Sequence, residues 1–431
     1  MTTSLITAEA ELSRQLGDYW ASTTTGAGAA TTLVDTALMA KQNDWITKET
    51  WAFLVEEPTG AAAIYDERLI SSLDNSTGTL TCLTFAAAPG TGIDYEVHRL
   101  FSPSEKRRAL VAAARMVYPY LFKEIRNDIL VSGNWLKDGS FEIWTSSSAL
   151  TNWTTATSTI AQTSTAYLFK HGDYSCKIST AAGNISHSVS NSNDLFRLAG
   201  KTVTFTSQAW CDTASCLRLG IYDGTTYTYS DYHDGDSAWT EDNDPMTVSA
   251  TIQDNPTAIQ FIIYHAVAAG TSYVDDARVI GPDTSKVYIG NLGLGQNKPH
   301  QVLIADCDYH YSEPLTLVRD IHYDVTNGYM YLPSGLPNNR NLRIAGTGYL
   351  DFLASGVSST AWTATIAIDS PQTDILIAQA ALYLYTVMSM PNFNQGTREQ
   401  YQETMNFWAG ELGRRIGKYG MEAPLSTVSY K

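Results

Sequence analysis

Charge is what this sequence has little of. Asp, Glu, Lys and Arg make up 17% of its 431 residues, where about a quarter is usual. The shortage is mostly of cations: 28 Lys and Arg stand against 44 Asp and Glu, a net charge of −16. No extended basic stripe is present, which argues against specific nucleic-acid binding. The acidic balance also disfavours an anionic membrane. The one compact basic cluster, Lys106, Arg107 and Arg108, reads as a solvated helix face or a partner contact.

Cysteine is scarce too. Cys82, Cys176, Cys211, Cys216 and Cys307 are odd in number and irregular in spacing, which excludes a disulfide framework or a zinc site. Cys211 and Cys216 flank a short polar turn; either they pair across strand ends, or they are two small core residues in a reducing cytoplasm. No run is long and apolar enough to span a bilayer. The start, Met1-Thr-Thr-Ser-Leu-Ile-Thr, lacks the basic and apolar regions of a signal peptide, so synthesis in a cytoplasm is expected. P-loop, Rossmann glycine pattern, His-Glu-x-x-His and Gly-x-Ser-x-Gly are all missing, so an enzyme is not expected. Asp306-Cys-Asp-Tyr-His310 mixes ligand types but reads as a polar loop, and the acidic residues between Asp231 and Asp244 as a solvated one.

What is present is strand-forming: Thr, Ser, Ala and Tyr fill the place of charge, and Thr and Tyr favour half-buried strands. The length implies two or three domains. Residues 7–17 read as a helix with Thr7 as N-cap and Gly17 as its close. Strand signals separated by turns then fill residues 32–101, at a spacing that suggests a small barrel. Ser102-Pro-Ser-Glu opens a helix with apolar Leu110, Val111, Ala114, Val117 and Leu121, expected to run to about residue 129 with a kink or break at Pro119.

Residues 131–282 change character: Ser/Thr/Asn/Tyr-rich, without helical periodicity, a domain-sized β block. After it the first pattern returns, with strands and then a long helical region. Ile375, Ala378, Leu382, Tyr385 and Met388 form its stripe, and Met405, Trp408 and Leu412 continue it. The expected fold class is therefore α+β, mainly β with helices. A small β-barrel plus helix scaffold (1–130 and 283–431) is interrupted by an inserted β-sandwich (131–282), since exposed loops accept insertions.

The middle block resembles the jelly-roll carbohydrate-binding modules of xylanases and glucanases. Asn134-Trp-Leu-Lys-Asp-Gly-Ser-Phe-Glu-Ile-Trp144 looks like their first strand, and Trp153 like their core tryptophan. His171-Gly-Asp-Tyr-Ser-Cys-Lys-Ile, Gly200-Lys-Thr-Val-Thr-Phe and Ser272-Tyr-Val-Asp-Asp-Ala-Arg-Val-Ile look like later strands. The resemblance implies a structural Ca²⁺ held by Glu142 and Asp275 or Asp276; read as residues alone, these are strand-end polar groups. It also implies sugar binding by flat aromatic faces. Tyr227, Tyr229, Tyr232 and Trp239 are the candidates, while Trp153, Trp210 and Tyr222 suit core positions. No other cofactor is implied.

The outer halves, through Gly60-Ala-Ala-Ala, Thr77-Gly-Thr-Leu-Thr and Asp374-Ile-Leu-Ile-Ala-Gln-Ala-Ala-Leu-Tyr, resemble virion proteins of tailed phages. The implied function is a head–tail connector or adaptor in the neck of the virion. It would close a ring with itself and contact the portal and other neck or tail proteins, with Leu382, Tyr385 and Trp408 on its assembly helices. The exposed sandwich would grip host-surface polysaccharide through avidity. The alternative is a tail or baseplate adhesion protein; a glycan-active enzyme with a binding module ranks third.

Overall fold

The computed structural model describes residues 2–46, 49–56, 64–242, 244–282, 284–306, 315–354, 356–389 and 395–422. The fold is α+β, mostly strands with five α-helices among the described residues, and it divides into two compact units: Met1–Lys123 with Tyr349–Ala423, and Glu124–Gly348. Residues 283–348 thus group with the sandwich.

The first unit holds α1 (Leu5–Leu16) and α2 (Pro103–Met116). Ser4 caps α1, accepting from the Thr7 amide at 3.2 Å, so the helix starts earlier than Thr7. Gly17, at φ +71°, closes it as expected. Ser102 and Glu105 form a reciprocal capping box on α2. That helix stops at Met116, ahead of Pro119, whose missing N–H cannot continue it. The expected extension to residue 129 is replaced by a strand, Lys123–Val131. A six-stranded sheet, from Trp20–Thr23 at one edge to Thr32–Val34 at the other, curls until Thr25 N–H donates to Val34 O at 3.0 Å. The small barrel of the sequence reading is this closure.

α4 (Thr373–Ser389) and α5 (Gln395–Tyr419) complete the unit. Leu382, Tyr385 and Trp408, expected on an assembly surface, face inward instead. Trp408 is buried, and half-buried Leu382 and Tyr385 pack on the same core as Leu110, Ile377 and Leu384. Tyr385 meets Phe101 edge-on at 5.3 Å. Periodicity reveals that a helix face is covered, not what covers it. The basic cluster also divides: Lys106 is fully buried, Arg107 lies over the Trp362 ring at 5.0 Å, and Arg108 alone is exposed.

The second unit contains the sandwich. One five-stranded sheet orders Thr154–Ala156, Gly183–Val189, Ile259–His265, Leu217–Tyr222 and Tyr227–Tyr229. The other orders Thr159–Thr163, Ser175–Ser179, Ser272–Ile280, Thr202–Cys211 and Met246–Thr251. Alternate residues of both sheets meet in one core, among them Ile178, Ile185, Phe205, Leu219, Phe261 and Val274. A short helix, α3 (Ser192–Leu198), interrupts this block, where none was expected.

Residues 134–143, expected as the first strand, form a looped segment. Phe141 sits at φ +54°, and a Cβ on Gly139 would fall 2.0 Å from Ala277 O, so the backbone turns tightly against the last strand there. Trp153 is buried, its indole N–H donating to Asp138 O at 2.8 Å. Cys211 and Cys216 are free thiols, each beside Ser272 Oγ, at 3.5 and 3.4 Å. The rest of the unit is a smaller β body with its own core of Val287, Val302, Ile304, Met330, Leu342 and Ile344.

Candidate functional site

Strand Leu217–Tyr222 sends Leu217, Leu219 and Ile221 into the sandwich core. By alternation, Arg218, Gly220 and Tyr222 occupy the outer face. Pairing then sets their neighbours: Arg218 opposite Tyr264, Gly220 between Tyr229 and Ile262, and Tyr222 between Tyr227 and Gln260. Tyrosines from three strands therefore share one outer face.

Tyr227 and Tyr229 lie with ring planes 4° apart and centroids 6.0 Å apart. That separation is too large for one ring to cover the other, since contact falls off beyond about 4 Å. They are 48% and 37% exposed. Tyr222 stacks behind Tyr227 at 4.6 Å, and Tyr264 meets Tyr229 edge-on at 5.2 Å. Gly220 makes the arrangement possible, because a Cβ there would lie 2.9 Å from Tyr264 and 3.1 Å from Tyr229. Arg218 holds the group together: its guanidinium carbon is 3.8 Å from the Tyr229 centroid, 4.9 Å from Tyr232 and 5.6 Å from Tyr264. Its Nε is buried without a hydrogen-bond partner among the described residues. Such a face offers flat apolar surface beside hydroxyls and one cation, which suits a ring with an apolar face and polar edges.

Three of the four aromatic candidates thus meet here, Tyr227, Tyr229 and Tyr232. Trp239 does not join the rings. Its indole donates to Tyr167 O at 3.0 Å and its backbone bridges Trp210. Trp239 instead lines a cleft of about 550 Å³ walled by the acidic loop, which Tyr232 also borders. The loop carboxylates of Asp231, Asp234, Asp236, Glu241, Asp242 and Asp244 are exposed, as expected of a solvated segment. Trp210 is half-buried against Tyr273 rather than central to the core. Arg218, Gly220 and Tyr264 carried no mark in the sequence; pairing with Tyr229 across two strands is what selects them.

The carboxylates expected to hold Ca²⁺ are occupied by donors of the protein itself. Glu142 Oε1 accepts from the Asp173 and Tyr174 amides at 2.8 and 2.9 Å. Asp275 accepts from the Lys170, His171 and Asp276 amides at 2.7 to 2.9 Å. Asp276 holds Arg278 through both oxygens, each at 2.8 Å. Facing N–H donors and a guanidinium, these residues do not fit a cation. Glu142 and Asp275 still pin the 170–174 segment to the two ends of the sandwich, through amides.

Among the described residues, the group of ligand-type side chains that does converge is Glu9, Glu96 and His98, buried in the first unit. Lys106 Nζ lies 2.8 Å from His98 Nδ1, 2.8 Å from Ser13 Oγ and 2.9 Å from Asp18 Oδ2. Burial pushes His98 down to about 4, so the ring is neutral and accepts from the ammonium at Nδ1. Its proton then sits on Nε2, 3.2 Å from Glu96 Oε2. Burial raises Glu9, which favours its protonated form. A donor N–H and a neighbouring ammonium make this a proton network and a poor seat for a metal. Of the 306–310 motif, Asp306 accepts from Thr316 Oγ1 at 2.8 Å; the other four residues lie outside the described residues.

No family model matches the chain, and no curated protein matches it. Among solved structures the neighbours include carbohydrate-binding modules and a phage tailspike domain. TmCBM61 in complex with β-1,4-galactotriose is 14% identical, with a TM-score of 0.27 over 35% of this chain and 99% of that one. The xylan-binding domain CBM22-1 of Paenibacillus barcinonensis Xyn10C is 14% identical, with a TM-score of 0.27 over 34% of this chain and 92% of that one. The enzymatically active domain of tailspike protein 4 from bacteriophage CBA120 is 10% identical, with a TM-score of 0.27; the match covers 35% of this chain but 21% of the tailspike. No helix among the described residues is long and apolar enough to cross a membrane.

Proposed function

We propose that the chain binds carbohydrate through the outer tyrosine face of its sandwich, by recognition and not by turnover. The observation that carries this is the parallel, mutually uncovered pair Tyr227 and Tyr229, bracketed by Arg218 and Tyr264. The sugar stacks on the rings, while tyrosine hydroxyls and the guanidinium address its hydroxyls. The first unit is the attachment. In this reading it belongs to a tailed-phage virion as a neck adaptor, closing a ring with itself and meeting the portal and its neck or tail neighbours. The chain order supports it, since the attachment is made from both sequence ends and the binding element is inserted between them.

Two measurements test the parts separately. Glycan-array binding of the full chain is compared with that of the Tyr227→Ala/Tyr229→Ala variant. A hit that the variant loses at least tenfold supports the face, and a hit equal in both removes it. Electron microscopy of phage particles labelled with serum against residues 131–282 tests location. Label at the neck supports the adaptor, and label at the tail tip replaces it with an adhesion component.

A further inference from the structure

The first unit keeps more acid out of water than its cations can pair. Glu9, Asp18, Glu96, His98 and Lys106 are all buried, between 0% and 4% exposed. Glu9 comes from α1, Asp18 from the segment after it, Glu96 and His98 from strand Asp94–His98, and Lys106 from α2. Three carboxyl groups therefore face one ammonium, and the histidine beside it is neutral. Unpaired buried charge is costly, so such a set must gain partners or shed charge.

Asp18 takes most of the compensation. It accepts from Lys106 Nζ at 2.9 Å and from the Arg99, Leu100 and Phe101 amides. Glu9 Oε1 accepts from Ser13 Oγ at 2.7 Å and lies 3.6 Å from the same ammonium. Glu96 meets no lysine or arginine at ion-pair distance among the described residues; its neighbours are His98 Nε2 at 3.2 Å and the Tyr19 hydroxyl.

Two oxygens are left over. Glu9 Oε2 and Glu96 Oε2 are sealed from solvent, and neither has a hydrogen-bond donor among the described residues. Yet a hydrogen bond joins the two carboxyl side chains, and ligand atoms of Glu9, Glu96 and His98 lie within 4.8 Å of one another. Two carboxylates cannot make that bond, because each only accepts; one proton between them supplies the missing donor. The same proton removes the repulsion of two like charges in a dry site.

We propose that Glu9 and Glu96 share a single proton, and that losing it is a pH-sensitive release of α1 from strand Asp94–His98. With the proton gone, two anions face each other where the helix meets the sheet. Leu5, Ala8 and Leu12 still hold α1 to the core, so the helix loosens and does not leave. Burial raises both acids. Their folded values stand above the unfolded one, so the stability they contribute is complete below about 4.5 and is lost as pH rises through the folded value. Around the pair stand Lys106, His98, Asp18, Tyr19 and Arg14, and from α4 Tyr385, which senses Asp18. Lys106 and Arg14 oppose the rise, and burial outweighs them.

Carbon-13 NMR of the glutamate carboxyls in the full chain, from about pH 4 to about pH 9, tests the shared proton, with Glu9→Gln and Glu96→Gln to assign the signals. Expected is one step seen by both residues above the ordinary glutamate range. In Glu96→Gln the new amide donates to Glu9, whose midpoint should fall by at least about one pH unit, a tenfold gain in acidity. Two independent steps, or a Glu9 midpoint unmoved in Glu96→Gln, would overturn the proposal. Amide exchange reads the release. Corrected for the intrinsic effect of base, protection of α1 should fall at least tenfold more than that of strand Ile259–His265 as pH rises, and the excess should vanish in Glu96→Gln. An equal fall in wild type and variant overturns the release. Glutamine keeps the shape and donor of the protonated acid, so a first unit that fails to fold in either variant overturns it too.

Discussion

Lys106 donates its ammonium to Nδ1 of His98 across 2.8 Å, with neither side chain exposed to solvent. The lysine also reaches Asp18 at 2.9 Å, and Asp18 in turn accepts from the backbone amides of Arg99, Leu100 and Phe101. One residue of α2 thereby fastens the segment entering that helix to the end of α1.

Replacing this lysine by an apolar residue of similar length strands a buried carboxylate. Lys106→Met is expected to cost about 3–5 kcal/mol, the usual penalty for removing one partner of a buried pair. Urea unfolding of the full chain measures it. A change below about 1 kcal/mol would mean that Asp18 is content with its three amides.

Acidity should act through the buried histidines. Burial, then Lys137, pushes His187 down to about 4. The unfolded ring takes a proton near 6.5, so between these values the unfolded state binds more protons than the folded one. Stability is therefore fully present above about pH 6.5 and is lost as pH falls toward about 4. Glu9, raised by burial, works in the opposite sense in the first unit. His187→Gln is expected to flatten the loss of urea stability between pH 7 and pH 4.5 by roughly 2–3 kcal/mol. Parallel curves for the two proteins would refute it.

Gly220 is a glycine for space and not for backbone freedom. Gly220→Ala places a methyl 2.9 Å from the Tyr264 ring and 3.1 Å from Tyr229. The rings must tilt, so binding to any glycan that the tyrosine face takes should weaken about fivefold or more, while the unfolding midpoint moves little. Near-ultraviolet circular dichroism reads the displaced tyrosines directly. An unchanged spectrum with unchanged binding would mean that the face does not need this packing.

Most strands of the sandwich could be read from alternation. Ser175–Ser179 and Leu217–Tyr222 fall where the pattern places them, because a strand with one buried face writes a period of two into the chain. Gly17 and the Ser102/Glu105 box were readable for a similar local reason. The site was half readable. Tyr227, Tyr229 and Tyr232 are close in sequence, but Arg218 and Tyr264 join them only through strand pairing. Lys106 misled because a run of three cations looks solvated in one dimension, whereas a helix turns successive residues to different sides. The looped 134–143 segment was hidden in Phe141 and Gly139, whose backbone is set by contact with a strand far along the chain.

The division of the chain into an interrupted unit and a continuous one also sets an order in time. The described part of the second unit lies within residues 124–348, so a ribosome delivers it while α4 and α5 are still unmade. The first unit must wait, its curled sheet and α2 holding an apolar surface open until the last helices arrive. Translation thus completes the sandwich while the first unit is still unfinished. A pause or truncation late in the message would leave the sandwich folded and the first unit exposed to aggregation.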